Sequence, residues 1–139
     1  MCCLTSPKIT SDVDSVRSEV RDNSITLIDV RREDDYKKEH IPNSINLPLA
    51  KLLADDSPEN VQKLIQSLGI GDETRVVIYD DTFGALSSRV AWTMEYLGHS
   101  DVSLLETTFS NWKTMGLETD TTTPNIQNKT HSVKLQPEI

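Results

Sequence analysis

Short apolar runs alternate with helical stripes along this chain, and residues 76–89, VVIYDDTFGALSSR, show the junction at its sharpest. Four β-branched or aromatic residues in succession are too few for a helix and too continuous for a half-exposed strand, so they predict a strand covered on both faces. A glycine-containing loop and a helix follow, with Leu86, Val90, Met94 and Leu97 on one stripe and Gly98 as its stop. The pattern recurs upstream and downstream. ITLIDV (25–30), SINLP (44–48) and VSLLE (102–106) read as further strands. Pro58 and Glu59 open a helix whose Val61, Leu64, Ile65 and Leu68 share a face before Gly69, and FSNWKTMG reads as a short helix closing at Gly116. From Ser11, Val13, Val16 and Val20 draw another helical stripe, with Thr10 or Ser11 as its cap. Acids precede bases in REDDYKKEH, the order a short helix favours, and Pro42 ends it. Strands alternating with helices over short connections predict an α/β sandwich: a central, mostly parallel sheet with helices on both faces.

The length of 139 residues suits one domain with a modest core. Residues 1–8 read as a flexible lead-in and 9–119 as the domain. Residues 120–139 are polar, Thr/Asn-rich and without helical period, which predicts a tail or an interdomain linker. A net charge of −8 opposes phosphate backbones and anionic lipid surfaces, so no nucleic-acid or membrane partner is expected. Cys2 and Cys3, adjacent at the N-terminus, cannot staple a core, and a reducing, cytoplasmic setting fits them.

In open parallel sheets ligands bind beyond the carboxyl ends of strands, and three such ends carry chemistry-bearing residues. One offers Asp29, Arg31, His40 and Pro42. The second is the loop Asp80, Asp81, Thr82, Phe83, Gly84 and Ala85, and the third holds Glu106 with Trp112 in the next helix. Each residue has an architectural reading beside the functional one. Asp29 and Arg31 could bind an anion, but a carboxylate and guanidinium two residues apart more often tie loops together. His40 could be a general base, and before Ile41-Pro42 it reads better as a hydrogen-bonded turn residue. Adjacent Asp80 and Asp81 rarely converge on one cation, so no metal or cofactor is expected, and the stretch from Asp81 to Gly84 could cap the following helix. Trp92 and Trp112 could anchor a partner, although Trp92 equally fits helix-to-sheet packing.

These segments, in this order, resemble the rhodanese family of sulfurtransferases over roughly residues 9–119. LIDVR…Y…HIPNSINLP resembles the family's first signature, and VVIYDDTFGALSSRVAWTMEYLGH…VSLLETTFSNW…G follows its second half. The resemblance implies a rhodanese-like three-layer sandwich. In catalytic members the strand corresponding to VVIYD ends in a cysteine whose thiolate takes up sulfane sulfur as a persulfide, cradled by backbone N–H groups. Asp80 occupies that position here, and a carboxylate cannot carry a persulfide. Asp80 and Asp81 also place negative charge where thiosulfate would approach. The same departure removes the related phosphatase reading. ETT at 106–108 departs too, since the family usually has an acid followed by glycines.

Aspartate at this strand end resembles the non-catalytic N-terminal half of tandem thiosulfate sulfurtransferases. The resemblance then implies a catalytic, cysteine-bearing rhodanese domain as partner, in cis or in trans. Two alternatives are a stand-alone regulatory module binding a protein through the 80–83 loop, and a sulfurtransferase that uses Cys2 or Cys3 from the N-terminal arm.

Overall fold

The computed structural model describes residues 10–127 and 129–136. Five strands, β1 (Thr10–Ser11), β2 (Thr26–Asp29), β3 (Ile45–Asn46), β4 (Val76–Tyr79) and β5 (Val102–Leu105), form one sheet in the order β1-β5-β4-β2-β3. Every pairing is parallel, with Ile28 opposite Ile78 and Ile78 opposite Leu104. β4 is therefore central, hydrogen-bonded on both edges, and all four of its residues are buried.

Alternation along the strands assigns the two faces. Ile28, Val76 and Ile78 pack with Leu52, Val61, Ile65, Val90 and Met94, carried by α3 (Leu49–Ala54), α4 (Pro58–Ser67) and α5 (Ser87–Tyr96). Leu27, Val77 and Tyr79 point the other way, toward Val16 and Val20 of α1 (Val13–Arg21) and Phe109 and Trp112 of α6 (Phe109–Thr114). A strand covered on both faces has no polar side to alternate, which is why VVIY reads as one apolar run. The short helix α2 (Glu33–Lys38) follows β2. The mostly parallel three-layer sandwich expected from the sequence is the fold found.

One local expectation needs correction. Thr10 and Ser11 do not cap α1; they pair with Leu104 and Leu105 as an edge strand, and Asp12 caps the helix by accepting the Ser15 N–H at 2.8 Å. Helix α3 carries no side-chain cap, and no cap signal in the sequence marks it. Residues 120–127 and 129–136 contain no helix or strand segment beyond an isolated bridge of Asp120 to His40, and Lys129, Lys134 and Gln136 donate backbone hydrogen bonds to the domain. Cys2 and Cys3, with the rest of the lead-in, lie outside the described residues.

Candidate functional site

Two carboxylates stand at the carboxyl ends of adjacent central strands, each fully buried or nearly so. Asp29 closes β2. Its Oδ2 accepts from the Arg31 guanidinium at 2.8 Å and from the Tyr79 hydroxyl at 2.6 Å, and its Oδ1 accepts the Arg31 backbone N–H at 2.8 Å. Arg31 extends the tie by donating to the Glu39 carbonyl at 2.7 Å and by lying 4.0 Å above the Phe109 ring. Burial opposes the guanidinium's charge, but Asp29 more than offsets it, so Arg31 holds its proton more firmly than usual. The Tyr79 hydroxyl, buried beside Asp29, has its pKa pushed well above the ordinary tyrosine value. It also accepts the Ile41 N–H at 3.1 Å, which ties the turn before Pro42 to the same knot. Arg31 spends its cationic face on Asp29, Glu39 and Phe109, so the arrangement is a loop tie.

His40 joins it from the turn side. Its ring stacks on Tyr36 with centroids 3.8 Å apart, Nδ1 lies 2.7 Å from the Tyr36 carbonyl, and Nε2 lies 2.6 Å from the Thr122 carbonyl. The turn-residue reading describes this geometry, and Thr122 is a partner that spacing in the sequence could not indicate.

Asp80 follows β4, and the loop after it wraps around its side chain. Oδ1 accepts backbone N–H bonds from Thr82 at 2.9 Å and Gly84 at 3.1 Å; Oδ2 accepts from Leu86 at 3.0 Å and Ser87 at 2.8 Å. Phe83 and Gly84 both have positive φ, 55° and 97°, and this left-handed pair turns the amides inward. At Phe83 that conformation costs on the order of 1 kcal/mol. Burial raises the Asp80 pKa, but the amide donors outweigh it, and the carboxyl ends below its ordinary value. The Asp80 carboxylate also supplies the N-terminal cap that α5 lacks from its own Leu86 position.

The cap expected from Asp81–Gly84 thus comes chiefly from Asp80, with the Thr82 hydroxyl accepting the Leu86 N–H at 3.3 Å. Asp81 turns the other way and caps α6, accepting the Ser110 N–H and hydroxyl, both at 2.8 Å. The two neighbouring carboxylates therefore diverge. Among the described residues, no three metal-ligating side chains converge on one point. Thr108 of the ETT stretch caps α6 as well, accepting the Asn111 N–H at 3.1 Å. Ala85 and Phe83 are exposed, Phe83 at 81%.

Trp92 and Trp112 part company. Trp92 is 44% exposed and stacks on Tyr96 at 5.5 Å. Trp112 is 1% exposed and donates its indole N–H to the Glu118 carbonyl, so it is a core residue and not a partner-facing one.

A parallel α/β sandwich whose central-strand loop folds backbone amides around one side chain is the class of domain defined here. Residues 12–115 match the family described as rhodanese-like domain, and the chain belongs to it. Relatives named as sulfurtransferases are among those it matches: a probable 3-mercaptopyruvate sulfurtransferase of Schizosaccharomyces pombe is 42% identical over 55% of this chain and 25% of its own length. The 3-mercaptopyruvate sulfurtransferase of Mus musculus is 32% identical over 75% of this chain and 36% of its own. Among solved structures, SseA from Escherichia coli superposes with a TM-score of 0.82 at 19% identity, covering 95% of this chain and 57% of that one, and shows the same fold. The chain spans less than half the length of the curated relatives it matches. No helix among the described residues is long and apolar enough to cross a membrane.

Proposed function

We propose that this chain is a non-catalytic rhodanese-like domain, the N-terminal half of a two-domain thiosulfate sulfurtransferase, which works beside a cysteine-bearing domain in cis or in trans. The observation that carries the reading is the Asp80 carboxylate, held by four backbone N–H groups at the position where the family resemblance puts the sulfur-carrying cysteine. A persulfide needs a polarisable thiolate in that cradle, and an anionic donor needs its amides free. Here an internal carboxylate takes both places. The loop then acts as a rigid wall, presenting Phe83 outward to the partner domain. The reading includes a cytoplasmic setting, on the ground of the two adjacent cysteines.

The test is thiocyanate release from thiosulfate and cyanide by the full chain, by a Cys2→Ser/Cys3→Ser variant, and by Asp80→Cys. The expected result is no turnover by the first two and, for Asp80→Cys, a mass gain of one sulfur atom after incubation with thiosulfate. In that step the new thiolate attacks the sulfane sulfur, the sulfur–sulfur bond of thiosulfate breaks, and sulfite leaves. Turnover that survives the serine replacements would overturn the reading. Turnover lost with them would also overturn it and assign the chemistry to Cys2 or Cys3.

A further inference from the structure

The cleft of about 200 Å³ between α1 and α6 has Arg17 and Arg21 at its mouth, but Glu118 pairs with both and Asp14 adds a second negative charge near Arg17, so it offers no net charge to a ligand. The amino-terminal end of the sheet, opposite the Asp80 loop, is different. There the segment 129–136 is laid across α4, α5 and the 71–74 turn, and its buried His131 meets the buried His99 of the domain.

The pair has a defined proton arrangement. His99 Nε2 lies 2.7 Å from the Thr74 carbonyl, which can only accept, so in the neutral ring this nitrogen carries the proton and Nδ1 is bare. His99 Nδ1 lies 2.9 Å from His131 Nε2, which must then be the donor. That leaves His131 Nδ1 bare, buried and without a hydrogen-bond partner. The backbone groups of His131 and the polar groups of Ser132 that face the domain are engaged. The His131 N–H donates to Gln66 Oε1 at 3.0 Å, its carbonyl accepts from Gln62 Nε2 at 2.6 Å, and Ser132 donates to Asp72 at 2.8 Å. Further along, the Lys134 N–H donates to the Leu97 carbonyl at 2.8 Å and the Gln136 N–H to the Tyr96 carbonyl at 2.7 Å. Gly98, at φ 97°, makes the close approach possible, because a Cβ there would stand 2.6 Å from the Lys134 carbonyl.

We propose that residues 129–136 are a strap latched by the neutral His99–His131 pair and released in mildly acidic solution. A further proton has two places to go. On His131 Nδ1 it would be a buried donor with no acceptor, and on His99 Nδ1 it would remove the acceptor that holds His131. The titratable groups facing His131 are His99 and, from the 71–74 turn, Asp72, whose Oδ1 is 3.9 Å from Nε2; α4 presents only the neutral Gln62 and Gln66. Asp72 is half-exposed and already accepts twice from Ser132, so it compensates only weakly. In the latched state the His131 pKa lies below its ordinary 6.5, lowered first by burial and then by His99. Detachment restores the ordinary value, so protons favour the detached form. The strap is held fully above about pH 6.5, and below it the opening constant rises by up to about tenfold per pH unit until the latched pKa is passed.

Hydrogen exchange of the full chain tests this at pH 7.5 and 5.5, corrected for the intrinsic pH dependence of amide exchange. The expected result is a loss of protection of up to about tenfold in peptides covering 129–136, with β4 unchanged, and no such pH dependence in His131→Gln. An NMR titration of the two imidazoles on the wild-type chain accompanies it and needs no variant to fold. Strap protection that stays flat between the two pH values would overturn the proposal, as would a wild-type-like pH dependence in His131→Gln or a His131 that titrates at its ordinary value while the strap stays protected.

Discussion

Asp29 and Asp80 occupy almost the same place, one at the end of β2 and one just past the end of neighbouring β4, yet the chain keeps their charges by opposite means. Asp29 is held by another charge: the Arg31 guanidinium and the Tyr79 hydroxyl meet it in the interior, and Arg31 is itself only 10% exposed. Asp80 is held chiefly by the backbone, through four amides of its own loop, with the Thr82 side chain adding to them. The first arrangement depends on a partner that is also costly to bury. The second depends on loop conformation, and its donors would remain in place around whatever side chain stood there. One site is a tie between loops, and the other is a preformed anion cradle filled from within.

Removing the carboxylate at each position separates the two. Asp29→Ala leaves a buried guanidinium uncompensated and the Tyr79 hydroxyl with only Ser44 to donate to, and should cost about 3–5 kcal/mol of stability in a denaturant titration. Adding Arg31→Met should recover part of that loss, because it removes the stranded charge; no recovery would mean that Asp29 acts mainly through Tyr79. Asp80→Ala should cost less, about 2 kcal/mol, since the exposed loop lets water reach part of the cradle. Equal losses at the two sites would break the distinction.

Acid sharpens the contrast from another side. The Asp80 carboxyl is held below its ordinary 3.8 in the folded chain, so its contribution is present above that value and lost as pH falls through the folded pKa. The stability gap between the wild type and Asp80→Asn should therefore be full at neutral pH and narrow below about pH 3.8, followed by denaturant midpoints across an acid series. A gap that stays constant would mean that shape, and not charge, fills the cradle.

How much of this is legible in the sequence depends on whether a contact is local. VVIY announces a central strand because burial on both faces leaves an unbroken apolar run, and Gly69 and Gly98 mark helix ends because both take positive φ. The Asp29–Arg31 tie is legible from a spacing of two. By contrast, Thr10–Ser11 become a strand only through pairing with β5, across more than ninety residues, and nothing in two polar residues signals it. Helix α3 is six residues without a side-chain cap and escapes a search for stripes and caps. The Tyr79 hydroxyl looks like one more core aromatic until the fold brings Asp29 and Ile41 to it. His99 and His131 meet across thirty-two residues, in a segment whose polar composition reads as a tail. Composition reports what a segment could bury by itself; it does not report a surface waiting elsewhere in the fold.

Asp81 supplies the smallest and most local test of the same comparison. It shares the loop with Asp80 but is exposed, and it holds α6 through Ser110 alone. A capping carboxylate in water competes with solvent for the same amides, so Asp81→Ala should cost only about 0.5–1 kcal/mol and leave the loop's hydrogen-exchange protection at Gly84, Leu86 and Ser87 unchanged. Loss of protection at those three amides would show that the cradle depends on α6 being anchored beside it. The wall would then be built by two helices and not by the Asp80 loop alone, and the contrast with Asp29 would rest on tertiary support at both sites.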